Sequence, residues 1–269
     1  MQWSTTAIAW AQRLPARALI GLIAFTEARI RNTRDGRRPF FEPDAFPWVA
    51  SLEAGWRGVR DELDGVLARL ELLPNFQDIQ VEQRMVTNDD GWKTFIFLGY
   101  GARHEQNLAR CPETARLLAA IPGLTTAFFS ILRPGKRLPP HHGPYAGVLR
   151  YHLALKVPEP AERCGLRVGG VTAHWREGRS LVFDDTHEHE AWNDTADVRV
   201  VLFVDFARPL PPLVAALNWV VLRAIRLSPF IREAVRRLQA WEELVGPQFD
   251  AAGRSEPVGA DATMDEVKG

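Results

Sequence analysis

Residues 148–157 read VLRYHLALKV. Successive side chains of an extended chain point to opposite sides. Leu149, Tyr151, Leu153 and Leu155 therefore share one face, and Arg150, His152 and Lys156 share the other. The apolar face calls for a core. The polar face is the informative one, because an imidazole and a guanidinium turned into a protein interior are costly unless they meet partners or bind something.

The surrounding sequence has the same texture. TTAFFSIL (125–132), CGLRVGGV (164–171), RSLVFDD (179–185) and VRVVLFVDF (198–206) are short runs rich in Val, Phe and Leu, separated by Gly and Pro turns. Several such strands with an inward polar row predict a ligand-holding jelly roll of the cupin type, a double-stranded β-helix. On either side the period changes to that of a helix. Leu19, Ile20, Leu22, Ile23 and Phe25 form one apolar face, and Trp56, Val59, Leu63, Val66, Leu67 and Leu70 another. Between them RNTRDGRRPFFEPDAFPW (31–48) reads as an irregular connection. Pro112 to Ile121 reads as one short helix, with Pro early and Glu113 in the first turn.

The predicted class is thus α+β. The predicted layout is a helical region over 1–94 packing on the core, a barrel over 95–210, amphipathic helices over 211–245 and a disordered polar tail over 246–269. The C-terminal helices interleave Arg223, Arg226, Arg232, Arg236 and Arg237 with apolar residues. Their apolar face is expected to pack on the domain or another subunit, with contact to a membrane surface as the alternative.

The bulk numbers narrow the function classes. The 269 residues carry 33 Lys plus Arg against 33 Asp plus Glu, a net charge of zero that offers no global field for nucleic acid. Cys111 and Cys164 are isolated, which suggests neither a disulfide framework nor a zinc ribbon and fits a reducing cytoplasm. Arg13, Pro15 and Arg17 interrupt the apolar N-terminal stretch, so no signal peptide is expected. No window reaches the roughly 18 to 20 apolar residues of a membrane span. The expected location is cytoplasmic, with peripheral contact to the inner membrane possible through the C-terminal helices.

Six of the seven histidines fall between His141 and His189. A jelly roll brings the ends of distant strands together, so one early and one late histidine can converge on a metal, with imidazole suiting iron, zinc or copper. The familiar non-haem iron set adds a carboxylate two positions after the first histidine; here that position is Gly143.

HHGPYAGVLRYHLALKVP (141–158), CGLRVGG (164–170) and WREGRSLVFDDTHEHEAWNDTADVRVVLFVDFARP (175–209) together resemble the catalytic domain of the aspartyl/asparaginyl β-hydroxylase family. The resemblance spans about residues 95–210 and implies iron(II), 2-oxoglutarate and O2. On it His141 and His189 are the metal ligands, with water in place of the missing carboxylate. Arg199 with the Ser130 hydroxyl takes the distal carboxylate of 2-oxoglutarate, and Arg150 and His152 contact its chelating end. A planar guanidinium suits that carboxylate on physical grounds also, and an arginine within VRVVLFVDF is costly to bury without an anion.

His142 and His187 are adjacent decoys. Asp184 and Asp185 are expected to orient the turn bearing His189 or to support a ligand imidazole, and a direct ligand role is the alternative. Trp175 and Trp192 read as core. For substrate, HHGP resembles the peptide-hydroxylating branch and PYAGVLRYHL the bacterial branch that hydroxylates lipid acyl chains. Peptide β-hydroxylation leads, a lipid acyl chain follows closely, and a non-catalytic cupin-like binding protein is the reading from another class.

Overall fold

In the computed structural model the described residues are 14–252, with side chains from residue 17 onward. Helix α1 (Leu14–Arg31) precedes a two-residue strand β1 (Phe40–Phe41), helix α2 (Val49–Leu67) and a single turn α3 (Phe76–Ile79). Strands β2 (Trp92–Gly99) and β3 (Ala102–Arg103) form a hairpin, followed by α4 (Glu105–Arg110) and α5 (Pro112–Leu118). The barrel continues with β4 (Leu124–Leu132), β5 (Arg137–His141), β6 (Val148–Lys156), β7 (Cys164–Val168) and β8 (Val171–Ala173). It closes with β9 (Ser180–Phe183), β10 (His189–Asn193) and β11 (Arg199–Ala207), and helices α6 (Pro212–Arg226) and α7 (Pro229–Ala252) end the described chain.

The strands form two sheets whose pairings are all antiparallel. The larger runs β1-β9-β6-β11-β4-β2-β3 and the smaller β5-β10-β7-β8. This is the predicted α+β double-stranded β-helix, and its two cores follow from strand alternation. Outward-facing Phe95, Phe129, Tyr151, Leu153, Leu202 and Val204 pack against α2 and α5. Inward-facing Phe128, Ala154, Val201 and Phe203 meet Leu166, Val168 and Ala191 of the smaller sheet. Tyr151 and Leu153 lie in the outer core while Arg150 and His152 face inward, as VLRYHLALKV predicts. Lys156, on the same face by parity, instead pairs with Asp197 at the strand end at 2.9 Å.

Three boundaries differ from the sequence reading. Phe40–Phe41, inside the expected irregular connection, adds an edge strand to β9 in register with Phe183 and Val182. Two phenylalanines flanked by Pro have no helical or alternating context, so only the exposed sheet edge reveals them as a strand. The sheet begins at Trp92 rather than 95. The tail expected to be disordered from 246 stays helical to Ala252, and residues 253–269 lie outside the described ones.

Phe249 explains that last correction. It is 2% exposed, stacks on Phe95 at 5.6 Å and is flanked by the Arg69 and Arg110 guanidiniums at 5.0 and 5.3 Å. Arg110 also ties Glu242 and Asp250 to the core at 2.7 and 2.8 Å. One buried aromatic on a polar segment escapes composition. Phe249→Ala is expected to destabilise the protein by about 3 to 5 kcal/mol in denaturant titration; a change below about 0.5 kcal/mol, the size of an ordinary surface substitution, would show the segment to be undocked.

Candidate active site

His141 ends β5 and His189 begins β10, and antiparallel pairing sets the two directly opposite each other. Their ring centroids are 4.1 Å apart and tilted by 49°. Each Nδ1 is tied to its own chain, His141 to the Pro139 carbonyl at 2.8 Å and His189 to the His187 carbonyl at 3.0 Å. With Nδ1–H donating to those carbonyls, each Nε2 keeps its lone pair. Burial keeps both rings neutral, lowering His141 and pushing His189 down to about 2. Two neutral rings set opposite each other, each with Nδ1 tied to a carbonyl and Nε2 left to donate, are a pair fit for a divalent transition metal. Among the described residues no cluster of three or more His, Cys, Asp or Glu side chains could hold a metal.

The decoys are separated by geometry. His142 is exposed and bonds the Thr186 carbonyl at 3.0 Å. His187 turns toward Gly169.

Gly143 is not an open slot. A Cβ built on it would fall 2.1 Å from Asp185 Oδ2, and its N–H donates to the Asp185 carbonyl at 2.7 Å. The buried carboxylate of Asp185 therefore occupies the space that a side chain from position 143 would enter. It faces Arg150 at 2.8 Å, yet neither of its oxygens receives a hydrogen bond of good geometry. Burial pushes this carboxyl up, against the pull of Arg150. Asp184 has the expected turn role: it accepts from Thr186 N–H and Oγ1 and pairs with Arg208 at 2.7 Å. The carbonyl bonds of His141 and His189 take the supporting role that a carboxylate could have filled.

Deeper in the barrel the inner face carries Arg199, His152, Ser130 and Thr94. Arg199 is 2% exposed, lies over the Trp175 ring at 4.3 Å and, among the described residues, hydrogen-bonds only the Ser130 carbonyl, at 3.5 Å. The two carboxylates that might have neutralised it are engaged elsewhere, Asp197 by Lys156 and Asp205 by Arg150. Burial without a counter-charge pulls its guanidinium down to about 9. Both ring nitrogens of His152, Trp175 Nε1, Thr94 Oγ1 and Arg199 Nε are buried without a hydrogen-bond partner. Buried polar atoms are normally paired, so this group of orphans marks a cradle for a polar, anionic ligand.

The predicted cofactor residues differ in what they offer. Ser130 Oγ accepts from the Trp92 indole at 3.0 Å, which leaves its own proton to donate. Arg150 reaches the site over the Phe203 ring at 4.2 Å, but Asp185 and Asp205 already compensate its charge. Trp92, Thr94 and Trp175 are the residues missed from sequence. Thr94 sits opposite Ser130 on β4, a pairing that only the register of the sheet reveals. Trp175 lies in a loop, where no periodicity points to it.

An antiparallel double-stranded β-helix with two facing histidines at the strand ends and an unpartnered cation in its interior defines a cupin-like class of ligand-holding barrel. Within that class, a sequence profile for aspartyl/asparaginyl β-hydroxylase matches residues 53–209, and the chain belongs to this family of hydroxylases. The match begins well before residue 95, so α2 is part of the family's shared domain.

The chain is 44% identical over 228 residues to the "ornithine lipid ester-linked acyl 2-hydroxylase" of Rhizobium tropici, covering 84% of this chain and 81% of that one. It is 34% identical over 166 residues to the human "aspartyl/asparaginyl beta-hydroxylase", covering 60% of this chain but only 21% of the human one. A cupin domain of a transcriptional regulator from Enterobacter cloacae overlaps 44% of this chain and 99% of its own, with 12% identity and a TM-score of 0.31.

Proposed function

We propose that this protein is an iron(II)- and 2-oxoglutarate-dependent dioxygenase that hydroxylates the ester-linked acyl chain of an amino-acid-containing lipid at the carbon next to the carbonyl. The buried Arg199, which pairs with no carboxylate among the described residues inside the barrel that carries the two facing histidines, is the observation that carries the co-substrate half. His141 and His189 would hold the metal through Nε2, and Arg199 would take the distal carboxylate of 2-oxoglutarate in a bidentate pair, with the Ser130 hydroxyl donating beside it. His152 would satisfy one of its free nitrogens on the same ligand. Phe183 and Phe203, packed on His152 at 5.0 and 5.2 Å, keep water from the reacting atoms. Bound iron with 2-oxoglutarate and O2 supplies the oxidising power, one oxygen atom entering the C–H bond and the other leaving in succinate as CO2 is lost.

The choice of substrate reverses the order reached from sequence. Support for the lipid comes from the Rhizobium relative, whose identity extends over most of both chains, whereas the human peptide-type relative matches over a fifth of its own length. A lipid substrate also fits the surface. Leu213 and Val220 fall at heptad spacing on one stripe of α6, beside Trp219, and exposed Leu227 caps its end, with Leu213 84% and Trp219 64% exposed. Arg223 and Arg226 flank them, and α1, which packs on α6, exposes Ile20 and Phe25. This is the composition of a helix pair that lies on an anionic bilayer, and the proposal places the protein at the cytoplasmic face of the inner membrane. Among the described residues no single helix is long and apolar enough to cross a membrane.

The test is aerobic incubation with iron(II), ascorbate and 2-oxoglutarate, offering ornithine lipid in vesicles and, separately, Asp- and Asn-containing peptides. The expected result is succinate formation coupled to one added oxygen on the lipid's ester-linked chain, read by mass spectrometry. Oxygen on the peptide alone would overturn the lipid reading, and no succinate with either would leave the non-catalytic binding protein.

A further inference from the structure

We infer that the outward face of the α1–α6 pair docks on an anionic bilayer and holds the histidine end of the barrel at that surface, an inference that deepens the lipid reading above. An ordinary surface helix turns its apolar stripe to the core and its polar side chains to water. These two depart from that. Along the exposed side of α6 run Leu213, Ala216, Trp219, Val220 and Arg223, with Leu227 at its end, while Asn218 is buried. Along the exposed side of α1 run Ile20, Ala24, Phe25 and Ala28, while Thr26 is buried and Glu27 half-buried.

The occupant follows from charge. The chain as a whole is neutral, yet the two helices carry Arg17, Arg29, Arg31, Arg223 and Arg226 against one carboxylate, Glu27. Arg29 lies over Phe25 at 4.8 Å and Arg223 over Trp219 at 5.8 Å, so these cations stand among the exposed aromatic rings. Apolar side chains interleaved with arginines fit hydrocarbon beneath a layer of negative headgroups. A second copy of this chain would bring the same positive charge to a two-fold contact.

The same helices grip the end of the barrel where the paired histidines stand. His141 ends β5, and residues 142–147 lead from it into β6. Glu27 of α1 accepts from the Ala146 N–H at 3.1 Å. Asn218 of α6 accepts from the Tyr145 hydroxyl at 2.8 Å and donates to the Gly147 carbonyl at 2.7 Å. A Cβ on Gly147 would fall 2.0 Å from Asn218 Oδ1, so this approach of helix to loop requires glycine. Strand β11 ends at Ala207, opposite the start of β6 at Val148, and α6 follows from Pro212. The polar side chains of the pair thus hold the loop, and the apolar ones are left to meet lipid. An interfacial helix lies at the boundary between headgroups and acyl chains. The carbon beside an ester carbonyl lies at that same depth, so a barrel end held there meets its reacting carbon within the leaflet.

The test uses the full chain and vesicles of phosphatidylcholine with or without phosphatidylglycerol. Co-sedimentation is expected with the anionic vesicles, weakening as salt is added. Arg223→Gln with Arg226→Gln should lower that affinity about twenty-five-fold, roughly fivefold for each charge. Trp219→Glu should lower it about tenfold or more. All three side chains are exposed, so the melting curve should stay in place. Trp219→Glu should raise the half-saturating concentration of ornithine lipid in vesicles by the same factor, and should turn over detergent-dispersed lipid as the wild type does. An environment-sensitive dye on Pro144→Cys, in the gripped loop, should shift to the blue on vesicle binding. One on Glu162→Cys, beyond the far end of β6, should not; both native cysteines are buried.

Sedimentation that is absent, indifferent to phosphatidylglycerol or unchanged in Trp219→Glu overturns the docking face. A blue shift at position 162 alone overturns the orientation. A dimer that Trp219→Glu separates, with no vesicle binding, assigns the face to a second copy. Docking as expected with no oxygen added to any lipid would overturn the substrate reading and leave the docking face. Lipid hydroxylation in vesicles equal in the wild type and Trp219→Glu would overturn docking and leave the substrate reading.

Discussion

Arg199→Met is expected to raise the 2-oxoglutarate requirement by about a hundredfold or more, the effect of deleting one partner of a buried, hydrogen-bonded charge pair. The same substitution should leave the ligand-free protein as stable as before or more so. In the unliganded fold this guanidinium is charged, buried over Trp175 and opposed by no carboxylate among the described residues. Its depressed value of about 9 gives the sign. At neutral pH the group is protonated in both the folded and unfolded states, so folding carries the whole desolvation penalty of the charge, which is relieved only as pH rises through 9. Methionine keeps much of the stem over the indole and removes the charge.

Thermal denaturation with and without 2-oxoglutarate reads both halves. The wild type should be stabilised, by about 2.7 kcal/mol at a hundred times the dissociation constant, and the variant should not respond. An unchanged 2-oxoglutarate requirement would remove Arg199 from the site.

His189→Ala and His141→Ala are each expected to reduce iron-dependent succinate formation to background, whereas His187→Ala retains it. The reason lies in position rather than composition. The pairing of β5 with β10 sets His141 and His189 opposite each other, and a single remaining imidazole would not hold the ion against water. His187, two positions away on the same strand parity, turns toward Gly169. Measured iron binding should fall together with turnover in both alanine variants, while the melting curve stays cooperative. Full activity in either would end the assignment of this pair as ligands.

The parts of this protein that are legible in one dimension are those set by neighbours along the chain. Alternation in VLRYHLALKV placed Arg150 and His152 on the inner face, and the cost of burying an arginine within VRVVLFVDF without an anion, together with the resemblance, pointed to Arg199. Helical spacing located α2, α6 and α7, and the ordered motifs around His141 and His189 carried the family. The residues missed are those whose role depends on a partner from a distant element. Trp175 matters because a loop lays it under Arg199; Trp92 matters because β2 pairs with β4 and its indole meets Ser130. Phe249 is docked because Phe95 and two arginines wait for it on the outer face.

Arg150 and Gly143 mark the boundary between the two kinds of knowledge. Their chemistry could be read from sequence, an inward cation and a missing carboxylate, but their electrostatic state could not. Sequence alone determined a jelly roll and pointed to two histidines and one arginine, because strand alternation and motif order are local properties. Only the tertiary structure decided that Asp185 fills the space beside Gly143, that Arg150 is already neutralised and that Arg199 is not. Those outcomes depend on which carboxylates the register of β6, β9 and β11 brings within reach, and register is settled by the packing of whole sheets.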